Sequence, residues 1–208
     1  MKRDEIWKHI HTERIALVET LETLDDEQWA TPSWCTGWSV RQAAGHVLAA
    51  AEQTPANFYR DLAAVGFRFH AFTDKDAHRL GSIETSELIR RLRARTTTTN
   101  HPPAPVIAML GEIVVHGDDI RRPLGMRHQP EESALVAVAD SWKNSNLLIG
   151  AKRRIQGLAL VATDSEWSHG NGPVVTGPLH SLILAMVGRR GSHVDLSGDG
   201  LTLLATRS

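Results

Sequence analysis

Residues 4–24 place Ile6, Ile10, Leu17, Leu21 and Leu24 on one stripe, with Glu and Arg elsewhere. That period predicts an amphipathic helix packed on something larger. The pattern breaks at Ala30-Thr31-Pro32-Ser33-Trp34-Cys35-Thr36-Gly37-Trp38, a loop of Pro, Gly and Trp. This loop reads equally as a hydrophobic plug over the end of a bundle or as the wall of a pocket. Ser39-Val40-Arg41-Gln42 is a capping box: the Ser hydroxyl takes the N3 amide and Gln42 reaches back. A second helix therefore starts at Ser39, with Val40, Ala43, Ala44, Val47, Leu48 and Ala51 inward.

From Gly66 to Ile83 the pattern blurs, which reads as a long connection rather than a clean helix. Thr85 to Arg95 is helical, with Leu88, Ile89 and Leu92 inward and Arg90, Arg91, Arg93 and Arg95 on a solvated face. Thr96 to Pro105 is a loop. The apolar segment between Pro105 and Pro123 reads as a helix over about 104–122, because Pro suits a first turn and stops a helix that reaches it. Glu131 to Ile149 reads as an additional helix.

Near residue 150 the period changes. Ile155–Thr163, Val174–Thr176, His193–Leu196 and Leu201–Ala205 look like strands, and Pro178–Val187 like a short helix. Gly170-Asn171-Gly172 and Gly198-Asp199-Gly200 supply turns. The expectation is an all-α domain over 1–150 and a small C-terminal α/β domain over 151–208.

Candidate chemistry centres on the helix before Pro123. Glu112 and His116 are four apart, so they share a face, with Cβ atoms roughly 5–6 Å apart. Such a pair is commonly just a solvated face, but it can also supply two ligands to a divalent cation, which needs at least a third. His46 is the best third candidate, although a lone His flanking an apolar stripe is usually a core or boundary residue. It lies roughly 10 Å along its helix from Ser39, while Glu112 and His116 lie roughly 15 and 9 Å from the end of theirs. The levels match only if the two helices are antiparallel. A simple up-down-up-down bundle would make its second and fourth helices parallel. One long crossover between the second and third makes them antiparallel, and residues 66–83 offer a connection of the right kind.

Composition removes several alternatives. The chain has 208 residues, 41% hydrophobic, enough for a proper core. A net charge of −1, from 23 Lys+Arg against 24 Asp+Glu, gives no global reason to expect nucleic acid or anionic membrane as partner,. Cys35 is the single cysteine, which rules out an internal disulfide and a Cys-rich zinc site,. No apolar run is long enough for a membrane span, so a cytoplasmic protein is the default expectation. No nucleophile elbow, phosphate-binding glycine loop or His-Glu-x-x-His motif occurs. His70, Asp74 and His78 would line one face if that region were a continuous helix.

Trp38-Ser39-Val40-Arg41-Gln42-Ala43-Ala44-Gly45-His46 resembles the start of the second helix in mycothiol-dependent maleylpyruvate isomerase-like proteins, a branch of the DinB-like superfamily. Glu112-x-x-x-His116-x-x-Asp119 resembles that branch's second metal motif. Trp167-Ser168-His169-Gly170, Gly177-Pro178 and Gly188-Arg189 resemble its C-terminal domain. The resemblance implies a mainly α fold: an up-down-down-up four-helix bundle followed by a small α/β domain. It also implies a divalent metal, usually zinc, on His46, Glu112 and His116, and a low-molecular-weight thiol, mycothiol, as cofactor.

Two imidazoles and one carboxylate suit zinc and leave a fourth position open, although nickel or manganese can also occupy such a set. Asp119 is either a plain surface charge or the partner that fixes the His116 tautomer. Asp118 reads as solvated. Cys35 reads as structural, with a pocket role as the alternative. Arg189, after Gly188 at a helix end, is either a partner of the helix dipole or the clamp for a small anionic substrate. The expected activity is cis-trans isomerisation of a maleylpyruvate-like substrate or thiol transfer to an electrophile. Metal-assisted hydrolysis and a non-catalytic, metal-stabilised binding module remain alternatives.

Overall fold

The computed structural model describes residues 1–147 and 149–207. These divide into two compact units, Met1–His128 and Gln129–Ser208. The first contains α1 (Arg3–Glu22), α2 (Asp26–Ala30), α3 (Val40–Glu52), α4 (Pro55–Ala64), α5 (Phe69–Gly81), α6 (Thr85–Arg95) and α7 (Val106–Arg121).

Contacts along these helices fix their directions. In α1 and α7 the run is parallel: the Arg3 guanidinium lies 3.4 Å from His101, just before α7, and at the other end Arg121 Nε donates to Thr20 Oγ at 2.9 Å. Helix α3 is antiparallel to α7. The Trp34 N–H, ahead of α3, donates to the Asp119 carbonyl at 3.0 Å, while His46 meets Glu112. Helices α5 and α6 follow α3 in its own direction. Trp38 Nε1 donates to Asp74 at 2.9 Å, Gln42 pairs with His78 at 3.1 Å, and Glu52 binds Arg91 at 2.5 Å. The bundle is therefore up (α1), down (α3), down (α5–α6) and up (α7).

Residues 66–83 are not the crossover that the sequence suggests. Helix α4 and the turn to Arg68 make the crossing, and α5 is a bundle helix closely packed on α3. The reason lies in how the two backbones meet. A Cβ at Gly45 would stand 2.5 Å from the Gly81 nitrogen and 2.8 Å from the Ala77 carbonyl oxygen. Backbone touches backbone there, so few large apolar residues are needed to mark the inner face, and Phe72, Ala77 and Leu80 suffice. The α3 stripe is buried at Val40, Ala43, Ala44, Val47, Leu48 and Ala51, and the Ser39–Gln42 capping box forms in both directions. The arginines of α6 form the expected solvent-facing cluster, Arg90 and Arg93 exposed, and they make ion pairs there: Arg90 with Glu87, Arg91 with Glu52 and Arg93 with Glu22.

The second unit is built around α10 (Leu179–Met186), every residue of which is buried. Helix α8 (Glu132–Trp142) packs on α10. The sequence attaches this helix to the 1–150 domain, whereas the compact units divide after His128. Helix α8 also ends at Trp142, not at Ile149 as expected, and Leu148 lies outside the described residues. After α9 (Ala151–Ile155) come β1 (Ala159–Ala162), β2 (Ser168–His169) and β3 (Val174–Gly177). Strand β1 is central, antiparallel to β2 with Leu160 opposite His169, and parallel to β3 with Leu160 opposite Val175.

Two expected strands are helical. Arg190–Asp195 forms a 3-10 segment and Leu201–Ala205 forms α11. At the sheet edge Ser197 bridges Thr176, and the Gly200 N–H donates to the Val174 carbonyl at 2.8 Å. Val194 points to solvent and Leu204 is the single buried residue of α11. Short apolar runs bounded by turns do not distinguish strand from helix by period alone. The expected strand at Ile155–Thr163 shrinks for the same reason, its first residue closing α9.

Candidate metal centre

The capped start of α3 sets the level of His46, and α7 presents Glu112 and His116 on one face. The two helices meet so that His46 Nε2 lies 2.5 Å from Glu112 Oε1, and His116 Nε2 lies 3.6 Å from the same oxygen. One donor atom from each of the three lies within 4.8 Å of the others. In a tetrahedral zinc site with Zn–N and Zn–O near 2.0–2.2 Å, neighbouring donors stand roughly 3.3 Å apart. The set brackets that spacing, so one divalent cation fits with small side-chain shifts. The side chains are 12% (His46), 27% (Glu112) and 12% (His116) exposed, so the centre is recessed yet reachable.

His116 is oriented from behind. Its Nδ1 lies 2.9 Å from Asp119 Oδ2, and Asp119 is fully buried. A carboxylate there favours the tautomer that holds the proton on Nδ1 and leaves the Nε2 lone pair for a metal. Asp119 is thus no plain surface charge. Its backbone is held as well, since the Trp34 N–H donates to its carbonyl. For Asp119→Asn, the expected result is a metal affinity lower by about 10–100-fold with the helical content unchanged. A competition titration checks this; an unchanged affinity would reduce Asp119 to a packing role. His46 lacks the corresponding support: its Nδ1 is buried without a hydrogen-bond partner among the described residues.

The tryptophan loop forms part of this centre. The Trp38 ring lies 4.9 Å from the His46 ring and 6.3 Å from that of His116, and its indole N–H is tied to Asp74 on α5. This favours the pocket-wall reading of the loop, which composition alone left open. Trp34 lies under the Arg122 guanidinium at 5.7 Å. Asp118 is not solvated but fully buried, and it pairs with Arg122 at 2.8 Å. The rival residues on α5 do not converge. Asp74 and His78 stand 3.5 Å apart, and His70 joins no group of potential metal ligands among the described residues.

Arg189 lies in the second unit, directly after Gly188, whose φ of +87° ends the chain's run from α10 as the sequence predicts. Its carbonyl accepts from the Ser192 backbone and hydroxyl, and its charge acts on Arg154. In the same unit Trp167 Nε1 donates to Asp140 at 3.1 Å, and burial pushes the His169 imidazole below its ordinary pKa.

Comparison with known proteins agrees with this architecture. Residues 10–101 match the model of the mycothiol maleylpyruvate isomerase N-terminal domain. No curated protein matches the chain by sequence. Among solved structures, the mycothiol-dependent maleylpyruvate isomerase superposes with a TM-score of 0.68 at 14% identity, covering 96% of this chain and 93% of that one. A histidine-to-alanine mutant of that enzyme gives 0.66 at the same identity and coverage. These likenesses establish the fold, mainly helical with a small C-terminal sheet, and support the resemblance read from the motifs. No described helix is long and apolar enough to cross a membrane.

Proposed function

We propose, taking the isomerase-type N-terminal domain at residues 10–101 as the premise, that this chain is a metal-dependent enzyme of small-molecule thiol chemistry. It uses mycothiol or a similar thiol to isomerise a maleylpyruvate-like cis double bond, or to transfer the thiol to an electrophile. The observation that carries this reading is the convergence of His46, Glu112 and His116 within 4.8 Å. Such a set leaves a position open, the mark of a catalytic zinc site. Bound zinc would act as a Lewis acid that favours the thiolate of an incoming thiol at neutral pH.

The chain's own residues do the rest. His46, Glu112 and His116 hold the ion, Asp119 keeps His116 in the binding tautomer, and Trp38 shields His46 on the loop side. When bound, the thiol would supply reversible addition to the activated double bond, which would allow rotation before its elimination. Nothing is consumed, so the thiol is catalytic. In transfer it is retained on the product. Incubating the zinc-loaded protein with maleylpyruvate should give the trans isomer only when mycothiol is present. Equal conversion without the thiol would refute the thiol dependence on which this reading rests.

A substrate of this class carries carboxylates, which the bundle ligands do not bind. Arg189 is the proposed clamp, because a guanidinium grips carboxylate through two parallel hydrogen bonds that lysine cannot reproduce. Arg189→Lys is expected to keep metal and fold while losing about 1.5–3 kcal/mol in kcat/KM for an anionic substrate. Unaltered steady-state kinetics would return Arg189 to a dipole partner of α10.

A further inference from the structure

A second group of potential ligands adjoins the first. One donor atom each from Cys35, His116 and Asp119 lies within 4.8 Å of the others. The two groups share only His116. Cys35 comes from the tryptophan loop, and that loop is pinned in place. The Cys35 N–H donates to Ser33 Oγ at 3.1 Å, the Trp38 N–H donates to the Cys35 carbonyl at 3.0 Å, and the Trp34 N–H donates to the Asp119 carbonyl. The thiol is therefore held beside α7 by fixed backbone rather than by chance rotation of a surface loop. Asp119 is fully buried, while Cys35 is half-buried beside exposed Thr36 and Gly37, which leaves a way in from solvent.

We propose that Cys35, Asp119 and His116 form a second cation locus, selective for a thiophilic divalent ion such as cadmium or excess zinc. Thiolate sulfur selects softer cations than the carboxylate and imidazoles of the first centre. Asp119 lies on the Nδ1 side of His116 at 2.9 Å, so this locus takes the Nδ1 lone pair. The first centre takes the Nε2 lone pair. A neutral imidazole has one lone pair and one N–H, so the two loci are alternatives. Filling the second withdraws His116 from the first and takes Asp119 away from its orienting role. This exclusion rests on the metal-centre reading of His116; the existence of the second locus does not.

Cadmium added to the metal-free full-length protein tests the proposal, followed through the sulfur-to-cadmium charge-transfer band. A saturable band is expected in the unaltered chain. Its dissociation constant should rise at least about tenfold in His116→Ala and in Asp119→Asn, and should not rise in His46→Ala or Glu112→Ala, which weaken the competing first centre. A chain loaded first with zinc should release one zinc ion for each cadmium bound. No band in the unaltered chain would overturn the locus. So would equal affinity in His116→Ala and Asp119→Asn, which would mean a solitary thiol. A loss in His46→Ala equal to that in His116→Ala would place the ion in the first centre instead. Band formation with zinc retained would refute the exclusion. Circular dichroism confirms the fold of each variant, and either His116→Ala or Asp119→Asn alone suffices to decide.

Discussion

Replacing His46, Glu112 or His116 by alanine is expected to strip the protein of its metal. Each variant removes one of three donors, and a two-donor remnant is a poor site for a catalytic zinc. Loss of a supporting outer residue already costs 10–100-fold in affinity, so loss of a donor should exceed about 100-fold. Dialysis followed by elemental analysis reads this directly. The helical signal should persist, because none of the three is a core residue: their neighbours Val47, Leu48, Val114 and Val115 remain buried. Undiminished stoichiometry in any of the three would remove that residue from the centre. If all three kept their metal, the proposed function would lose the observation it stands on.

Gly45→Ala is expected to be the most destabilising small substitution in the bundle. In an isolated helix the change would help by about 0.8–1 kcal/mol. Here the new methyl would stand 2.5 Å from the Gly81 nitrogen, 2.8 Å from the Ala77 oxygen and 3.0 Å from the Gly81 Cα. All three are backbone atoms, so relief requires α3 and α5 to move apart. Overpacking of this kind costs typically about 1–3 kcal/mol, occasionally more, and a rigid backbone contact belongs at the upper end. The net expectation is a loss of about 2 kcal/mol or more, read as a lower unfolding midpoint in urea. Because His46 follows Gly45, metal affinity should fall with it. An unchanged midpoint would mean that α3 and α5 are not in backbone contact.

The contrast between α3 and α5 shows what a sequence carries. The inner stripe of α3 and its capping box are local features, written in side-chain size and in Ser39 and Gln42, so they were legible in full. Helix α5 was not, because its contact with α3 runs through Gly45 and Gly81. Glycine reads as a helix breaker in isolation, and only the facing helix turns it into a packing residue. The C-terminal unit shows the converse. Its turn glycines and α10 were evident, but whether Leu201–Ala205 joined the sheet depended on a pairing partner, and the described sheet comprises β2, β1 and β3 without it.

The candidate site divides along the same line. Sequence by itself determined which donor types exist, the shared face of Glu112 and His116, and the axial level of His46, because helical rise and spacing are fixed by covalent geometry. Together with the family motifs it also pointed to an antiparallel α3–α7 pair. Tertiary structure alone decided that Asp119 is buried behind His116, that Asp118 pairs with Arg122, and that Trp38 and Cys35 border the centre. Those residues meet across elements far apart in the chain. Whether a carboxylate is solvated or a thiol lies beside an imidazole depends on which surfaces the bundle closes, and no local pattern of residues records that.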